Sequence, residues 1–280
     1  MKVYKMDKAP KQYVSGHTSK GNQWKWKADG YWYKADQFGY EGMAESVVTH
    51  ILNKVNVPFR YVQYEPASIS YDDRIWDGCR SEDFYERFPN IKGYELVPLE
   101  KLYRLHVGQS LAEHLGKISA VSDRIMHTAK FVKGVTGLYE FDDYLSFLIQ
   151  TDAFFLNEDR HTNNIAVLWN PDTDKYEYCP YFDFGLSLFS DTREDYPIDM
   201  DYFACKKRIQ AKPFSVDFDE QLDIAERISD KRFFVPMTVS EIRKSLEMFF
   251  EQFDIDNRII KRITETVVYQ ASKYRYMIKS

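Results

Sequence analysis

The chain has 280 residues, a formal net charge of -5, 44% hydrophobic residues and 16% aromatic residues. That length suits one large domain or two lobes with a real core, and that apolar content excludes a disordered chain. The acidic balance carries no global signal for nucleic acid or membrane surface, a local basic patch aside.

No run of about 18 apolar residues is long enough to span a membrane. No apolar stretch of a signal peptide follows Met1-Lys2-Val3-Tyr4-Lys5. Cys79, Cys179 and Cys205 are odd in number and widely spaced, against a disulfide framework or a zinc ribbon. The expectation is a cytoplasmic protein, with secretion as an effector left open.

In chain order, Ser15–Asn22 is a loop of small residues and glycine. Trp24-Lys25-Trp26-Lys27 alternates aromatic and charged residues, as a half-buried strand does. Ala28-Asp29-Gly30 is a tight turn, and Tyr31-Trp32-Tyr33-Lys34 completes a hairpin. Met43, Ala44, Val47, Val48, Ile51 and Leu52 form a helical stripe within 41–54, with Glu45 beside it. Tyr61–Tyr64 and Tyr94–Val97 are predicted strands, and 65–93 is polar and irregular.

Beyond about residue 100 the pattern turns helical. An amphipathic helix is predicted over 141–156, then a loop Asn157–Asn164. A strand Ile165–Trp169, a turn at Asn170-Pro171-Asp172 and a strand Tyr176–Phe182 lead to Asp183. Two helices follow, through Ile242, Leu246, Phe249 and Phe253, and through Ile259, Ile263, Val267 and Ala271. The division falls near 100–108, giving a β-rich lobe over 1–104 and a mainly helical lobe over 105–280.

The chemistry gathers at Asp159, Asn164 and Asp183. A loop, a strand, a turn and a second strand return Asp183 to the side of the loop. One carboxylate can then orient a nucleophile while an amide oxygen and a second carboxylate hold Mg²⁺ against phosphates. Asp and Asn also cap and turn chains for purely structural reasons, but the joint spacing on a helix–loop–hairpin favours a site.

Lys34, at the end of an aromatic strand, is placed to bind nucleotide phosphates. Glu45 is its natural partner, with Glu41 as substitute. Thr18, Ser19, Lys20, Gly21 and Asn22, one hairpin earlier, can bring backbone N–H groups close to phosphates. His161 lies within the loop and the nucleotide site; a packing role, holding the loop by a backbone hydrogen bond, is preferred to metal ligation. Arg160 either neutralises phosphate charge or pairs with an acidic neighbour. Cys79-Arg80-Ser81 is either an adenine hinge or a surface loop.

The pattern Asn-x-Asp-x-His-x-x-Asn ending at Asn164, followed by a hairpin into an Asp, resembles the HipA-like kinases and, more distantly, the phosphoinositide-kinase-like fold. Gly30–Lys34 with Glu45 on the next helix resembles their lysine strand and helix. Residues 15–45 and 140–190 carry the likeness.

The resemblance implies an α+β, bilobal protein-kinase-like fold with ATP and Mg²⁺ between the lobes. Asp159 becomes the catalytic base, Asn164 and Asp183 the metal ligands, and Lys34 the phosphate lysine. The family includes toxin kinases and compact, CtkA-like effector kinases, and the length fits the compact members. That puts an antitoxin partner in doubt.

The expected activity is phosphorylation of a Ser or Thr hydroxyl on a protein substrate, with autophosphorylation at Ser15, Thr18 or Ser19. The alternatives are a small-molecule or lipid kinase, for which Lys206-Lys207-Arg208 is the one short basic candidate, a regulatory pseudokinase, and a Mg²⁺-dependent phosphohydrolase that needs no Lys34–Glu45 pair.

Overall fold

The computed structural model describes residues 1–7, 11–13 and 23–280, with the backbone alone for Lys11–Tyr13. It is mixed α+β, a curled β-rich N-terminal part and a mainly helical C-terminal part, as the sequence predicts.

The N-terminal part holds strands β1 (Val3–Lys5), β2 (Lys11–Tyr13), β3 (Trp24–Ala28) and β4 (Tyr31–Ala35), helix α1 (Glu41–Leu52), and strands β5 (Tyr64–Tyr71) and β6 (Arg74–Glu82). They form one sheet in the order β1-β5-β6-β4-β3-β2, antiparallel except for β1 beside β5. The β3–β4 hairpin turns at Asp29 and Gly30, both with left-handed φ (50° and 76°). Alternation sends Trp26 and Tyr33 into a small core with Met6, Ala35 and Ile69, which leaves Lys25, Lys27, Trp32 and Lys34 on the opposite face.

Two expectations fail here. Tyr61–Tyr64 is not a strand: Tyr61 makes only an isolated bridge to Tyr181, and the strand begins at Tyr64. Residues 65–82 are not irregular but form the β5–β6 hairpin, paired in register from Tyr64↔Ser81 to Tyr71↔Arg74. Small and polar side chains disguise it, because α1 packs directly on these strands. A Cβ on Gly42 of α1 would sit 2.2 Å from the Gly78 carbonyl carbon, and one on Gly78 would sit 2.0 Å from the Lys34 carbonyl oxygen. Helix and sheet therefore meet backbone to backbone, where larger residues have no room.

After α2 (Phe84–Arg87), strand β7 (Glu95–Pro98) pairs with β8 (Ala166–Asn170), which pairs in turn with β9 (Lys175–Tyr178). Strand pairing thus changes sheets between Glu82 and Glu95. The predicted strand Tyr176–Phe182 ends as β9 at Tyr178.

The helices are α3 (Leu99–Val107), α4 (Leu111–Lys117), α5 (Val121–Thr136), α6 (Phe141–Phe155), α7 (Tyr202–Arg208), α8 (Phe218–Ile228), α9 (Val239–Phe250) and α10 (Asn257–Lys273). The expected amphipathic helix at 141–156 is instead buried on every side: Ser146, Gln150, Thr151 and Asp152 are as enclosed as Phe147 and Leu148. Its polar groups find internal partners, such as Ser146 Oγ donating to the Ala225 carbonyl (2.7 Å) and Gln270 Nε2 to the Ala153 carbonyl (2.7 Å). This rigid central helix ends at Leu156, a buried left-handed residue (φ 56°) that turns the chain into the Asn157–Asn164 loop. Among the described residues, no helix is long and apolar enough to cross a membrane.

Candidate active site

Lys34 projects from β4 into a cleft between the two sheets. Its Nζ donates to Glu45 Oε1 (2.6 Å) and Asp183 Oδ1 (2.8 Å), and lies 4.9 Å from the centre of the Tyr64 ring. Burial alone would lower the ammonium pKa, but the Asp183 and Glu45 carboxylates outweigh it and hold Lys34 well above its ordinary value. Asp183 is also penalised by burial, yet Lys34, Lys25 and Arg160 drive its pKa far below the carboxylate range. Burial, against the opposing pull of Lys34, raises Glu45.

Glu45 is aimed by the α1 N-terminus. Asp36 Oδ1 accepts the Gly42 N–H (2.6 Å). Glu41 accepts the N–H groups of Gln37, Phe38 and Gly39 (2.8, 2.8 and 2.7 Å). Glu41 is therefore a backbone clamp and not the lysine's partner. The second Glu45 oxygen accepts the Phe184 N–H (2.9 Å), so one carboxylate ties Lys34 to the Asp183-Phe184-Gly185 segment. Asp183 has a left-handed φ of 62°, and its N–H reaches the Tyr64 hydroxyl oxygen (3.3 Å). A left-handed non-glycine held from both sides is backbone strain of the kind found at functional positions.

The loop is organised by two residues that sequence reasoning missed or left undecided. Asp152, deep in α6, accepts from Arg160 Nε (2.8 Å) and Nη2 (3.1 Å) and from Asn157 Nδ2 (2.9 Å). Arg160 is fully buried and donates to the carbonyls of Asn164 (2.8 Å) and Phe182 (2.7 Å). It binds both chain segments of the site, turned toward Asp152 and not among the residues that line the cleft. Asp152 gave no signal because a lone acid inside an apolar helix looks like a polar-face residue.

Around Asp159, Asn157 Oδ1 accepts its N–H (3.1 Å) and Asn164 Nδ2 donates to its carbonyl (2.9 Å). His161 Nδ1 accepts the Asn163 N–H (3.2 Å), the backbone role expected of it. Its Nε2 lies 3.6 Å from Asp159 Oδ2, and burial lowers its pKa. Lys212 Nζ approaches Asp159 Oδ1 from the other side, at 3.4 Å.

The cleft has a volume of about 450 Å³ and gathers Lys34, Asp159, His161, Asn164 and Asp183, a size normal for small-ligand sites. Lys25 and Lys27, directly across from Lys34 and Trp32 in register, line its roof; burial lowers the Lys25 pKa, against the opposing pull of Asp183. Their signal was the Trp-Lys-Trp-Lys alternation, whose charged face lines the cleft. Lys27 pairs with Asp83, which caps α2. Of Cys79-Arg80-Ser81, Cys79 is buried within β6 and Arg80 pairs with Glu65 (2.7 Å). Only Ser81 lines the cleft, where the wall continues through Glu82, Asp83, Phe84 and Tyr85. The suggested Thr18–Asn22 phosphate loop lies outside the described residues.

Among the described residues, no group of three or more His, Cys, Asp or Glu forms a metal cluster. The Asn164–Asp183 pair still fits a hard cation. Asn164 spends its Nδ2 on the Asp159 carbonyl, which leaves the amide oxygen for a ligand, and Asp183 stays ionised. Mg²⁺ commonly takes one or two protein oxygens and fills its octahedron with water and phosphate.

Two solved structures are similar in fold. The Helicobacter pylori proinflammatory kinase CtkA superposes with a TM-score of 0.59 at 17% identity, covering 96% of this chain and 95% of that one. The fold is that of a HipA-like kinase. HipA from the Shewanella oneidensis MR-1 toxin–antitoxin system, solved with HipB and operator DNA, is similar at a TM-score of 0.50 and 11% identity, over 97% of this chain and 67% of that one. No family model and no curated protein sequence matches. The HipA-like fold is thus recognised through the path of the backbone, at an identity too low for sequence comparison.

Proposed function

We propose that this chain is an ATP- and Mg²⁺-dependent kinase that phosphorylates a Ser or Thr hydroxyl of a protein. The observation that carries this is the Lys34 ammonium held between Glu45 and Asp183, in the same cleft as Asp159 and Asn164. A phosphohydrolase has no use for the Lys34–Glu45 pair.

Lys34 and Lys25 attract the nucleotide phosphates, and the Ser81–Tyr85 wall takes the adenine. Asn164 and Asp183 would hold Mg²⁺, which supplies charge neutralisation at the phosphates. Asp159 orients the acceptor hydroxyl and takes its proton. The acceptor oxygen bonds to the γ-phosphorus, the bond from that phosphorus to the β–γ bridging oxygen breaks, and ADP leaves with its electron pair. Positioning and preorganised charge supply most of the rate. Action in the cytoplasm belongs to the same proposal; an antitoxin partner does not.

The test is incubation with γ-labelled ATP and Mg²⁺, alone and with a protein lysate, with Asp159→Asn as control. Label on Ser or Thr that depends on Asp159 is expected. Nucleotide binding with neither label nor ADP would make the chain a pseudokinase, and ADP without a phosphorylated acceptor would make it a hydrolase.

A further inference from the structure

We propose that Lys212 meets the transferring phosphoryl group from the acceptor side of Asp159, and that the cavity the two residues share receives the acceptor hydroxyl. The proposal rests on the kinase reading above.

A second cavity of about 300 Å³ adjoins the nucleotide cleft, lined by Glu158, Asp159, Leu186, Tyr196, Arg208 and Lys212 among others. Asp159 and Leu186 line both cavities, so the carboxylate stands at their junction. Its two oxygens face different ways. Oδ2 is 3.6 Å from His161 Nε2, and His161 lines the nucleotide cleft. Oδ1 is 3.4 Å from Lys212 Nζ, and Lys212 lines the second cavity.

Lys212 stands on anchored backbone. Ala211 and Phe214 are buried on either side of it, and the Ala211 N–H donates to the Val216 carbonyl (2.9 Å). Gln221 Nε2 donates to the Lys212 carbonyl (3.4 Å), and Arg124 Nη1 to the Phe214 carbonyl (2.7 Å). The side chain remains partly exposed, with 38% of it accessible. A fixed stem with a reachable head is what a charge-stabilising group needs.

The chemistry gives it a task. During transfer an anionic phosphoryl group must approach an anionic Asp159 carboxylate. An ammonium next to Oδ1 offsets that repulsion and can donate to a γ-phosphoryl oxygen as the proton of the acceptor hydroxyl passes to Asp159. Lys34 cannot do this, because it is committed at the Glu45 and Asp183 end of the cleft. The second cavity also carries hydrogen-bonding groups, with Tyr196 donating its hydroxyl to Glu158 (2.5 Å) and Arg208 donating to the Asp195 carbonyl (3.2 Å). These groups can accept or donate to a small hydroxyl-bearing side chain.

The experiment compares wild type, Lys212→Met, Lys212→Gln and Lys212→Arg under single turnover with γ-labelled ATP and Mg²⁺. It reads both protein label and ADP, together with nucleotide Kd and melting temperature. Lys212→Met should transfer about 10²-fold more slowly, the usual effect of losing one charge-stabilising donor. Its nucleotide Kd should stay within about twofold and its melting temperature should be unchanged, with Lys212→Arg recovering about tenfold in rate. A Lys212→Met rate equal to wild type overturns the proposal, as does a loss matched by weaker nucleotide binding. Should Lys212→Met not fold, Lys212→Gln is read by the same criteria. A wild type that makes neither ADP nor label removes the kinase reading and this proposal together; an active wild type indifferent to Lys212 removes this proposal alone.

Discussion

Lys34 Nζ lies 2.8 Å from Asp183 Oδ1, although 149 positions separate them in the chain. This one pair joins β4 to the Asp183-Phe184-Gly185 segment, the cation and the carboxylate to which the proposed function gives phosphate and metal. Without nucleotide each neutralises the other; a polyphosphate with its cation would separate them and take both charges. Lys34→Ala should therefore cost at least about 10²-fold in phosphoryl transfer. Steady-state kinetics with ATP measures it, and near-wild-type turnover would favour a hydrolase.

The same pair makes stability depend on pH. The pKa of Asp183 is depressed in the folded state, so its contribution is present above the ordinary value of 3.8 and fades as pH falls toward the folded value. Lys34 is raised, so its contribution is present below 10.5 and is lost as pH climbs through its folded value. Urea unfolding of wild type and Asp183→Asn should accordingly differ most near neutral pH, and the difference should shrink below about pH 4. An equal difference at pH 3 and pH 7 would mean that the ion pair contributes nothing to folding.

Asp152 and Arg160 form a buried pair that carries the loop. Removing either partner leaves an uncompensated interior charge, at a cost of about 3–5 kcal/mol. Arg160→Ala should lower the denaturation midpoint and also release the Asn164 and Phe182 carbonyls. A shift under about 1 kcal/mol would place the loop's rigidity elsewhere.

Asp159→Asn should remove phosphoryl transfer while nucleotide affinity stays within a few-fold of wild type, because the proposed mechanism has Asp159 act on the acceptor hydroxyl and assigns phosphate and metal binding to Lys34, Asn164 and Asp183. Calorimetry with ATP and Mg²⁺, beside a labelling assay, separates the two effects. Equal loss of both would make Asp159 part of the nucleotide site.

Gly78→Ala should be among the most destructive single changes. Its new Cβ would meet the Lys34 carbonyl at 2.0 Å, and that backbone cannot yield without moving β4. The expected result is lost thermal stability together with lost nucleotide binding. A folded, ATP-binding Gly78→Ala protein would show that β4 and β6 can shift apart without disturbing Lys34.

Local pattern reveals whatever depends on neighbours in the chain. The β3–β4 hairpin is legible because its alternation and its Asp-Gly turn are short-range signals. The loop residues Asp159, Asn164 and Asp183 are legible because one helix and one hairpin join them. The β5–β6 hairpin is not, because its core positions are small for the sake of a helix packed on top. Asp152 and Lys212 are hidden for a related reason: neither carries a local pattern, and each acquires its role from a partner on another element.

By itself, the sequence determined a β-rich part followed by a helical one, the Asn157–Asn164 loop with its following Asp, and Glu45 ahead of Glu41 as the partner of Lys34. Tertiary structure alone decided that Glu41 clamps backbone, that Arg160 turns inward to Asp152, that Ser81–Tyr85 walls the cleft, and that Lys212 stands at Asp159. Periodicity and turn chemistry act over a few residues, whereas burial and charge pairing depend on which distant segments the fold brings within a few ångströms.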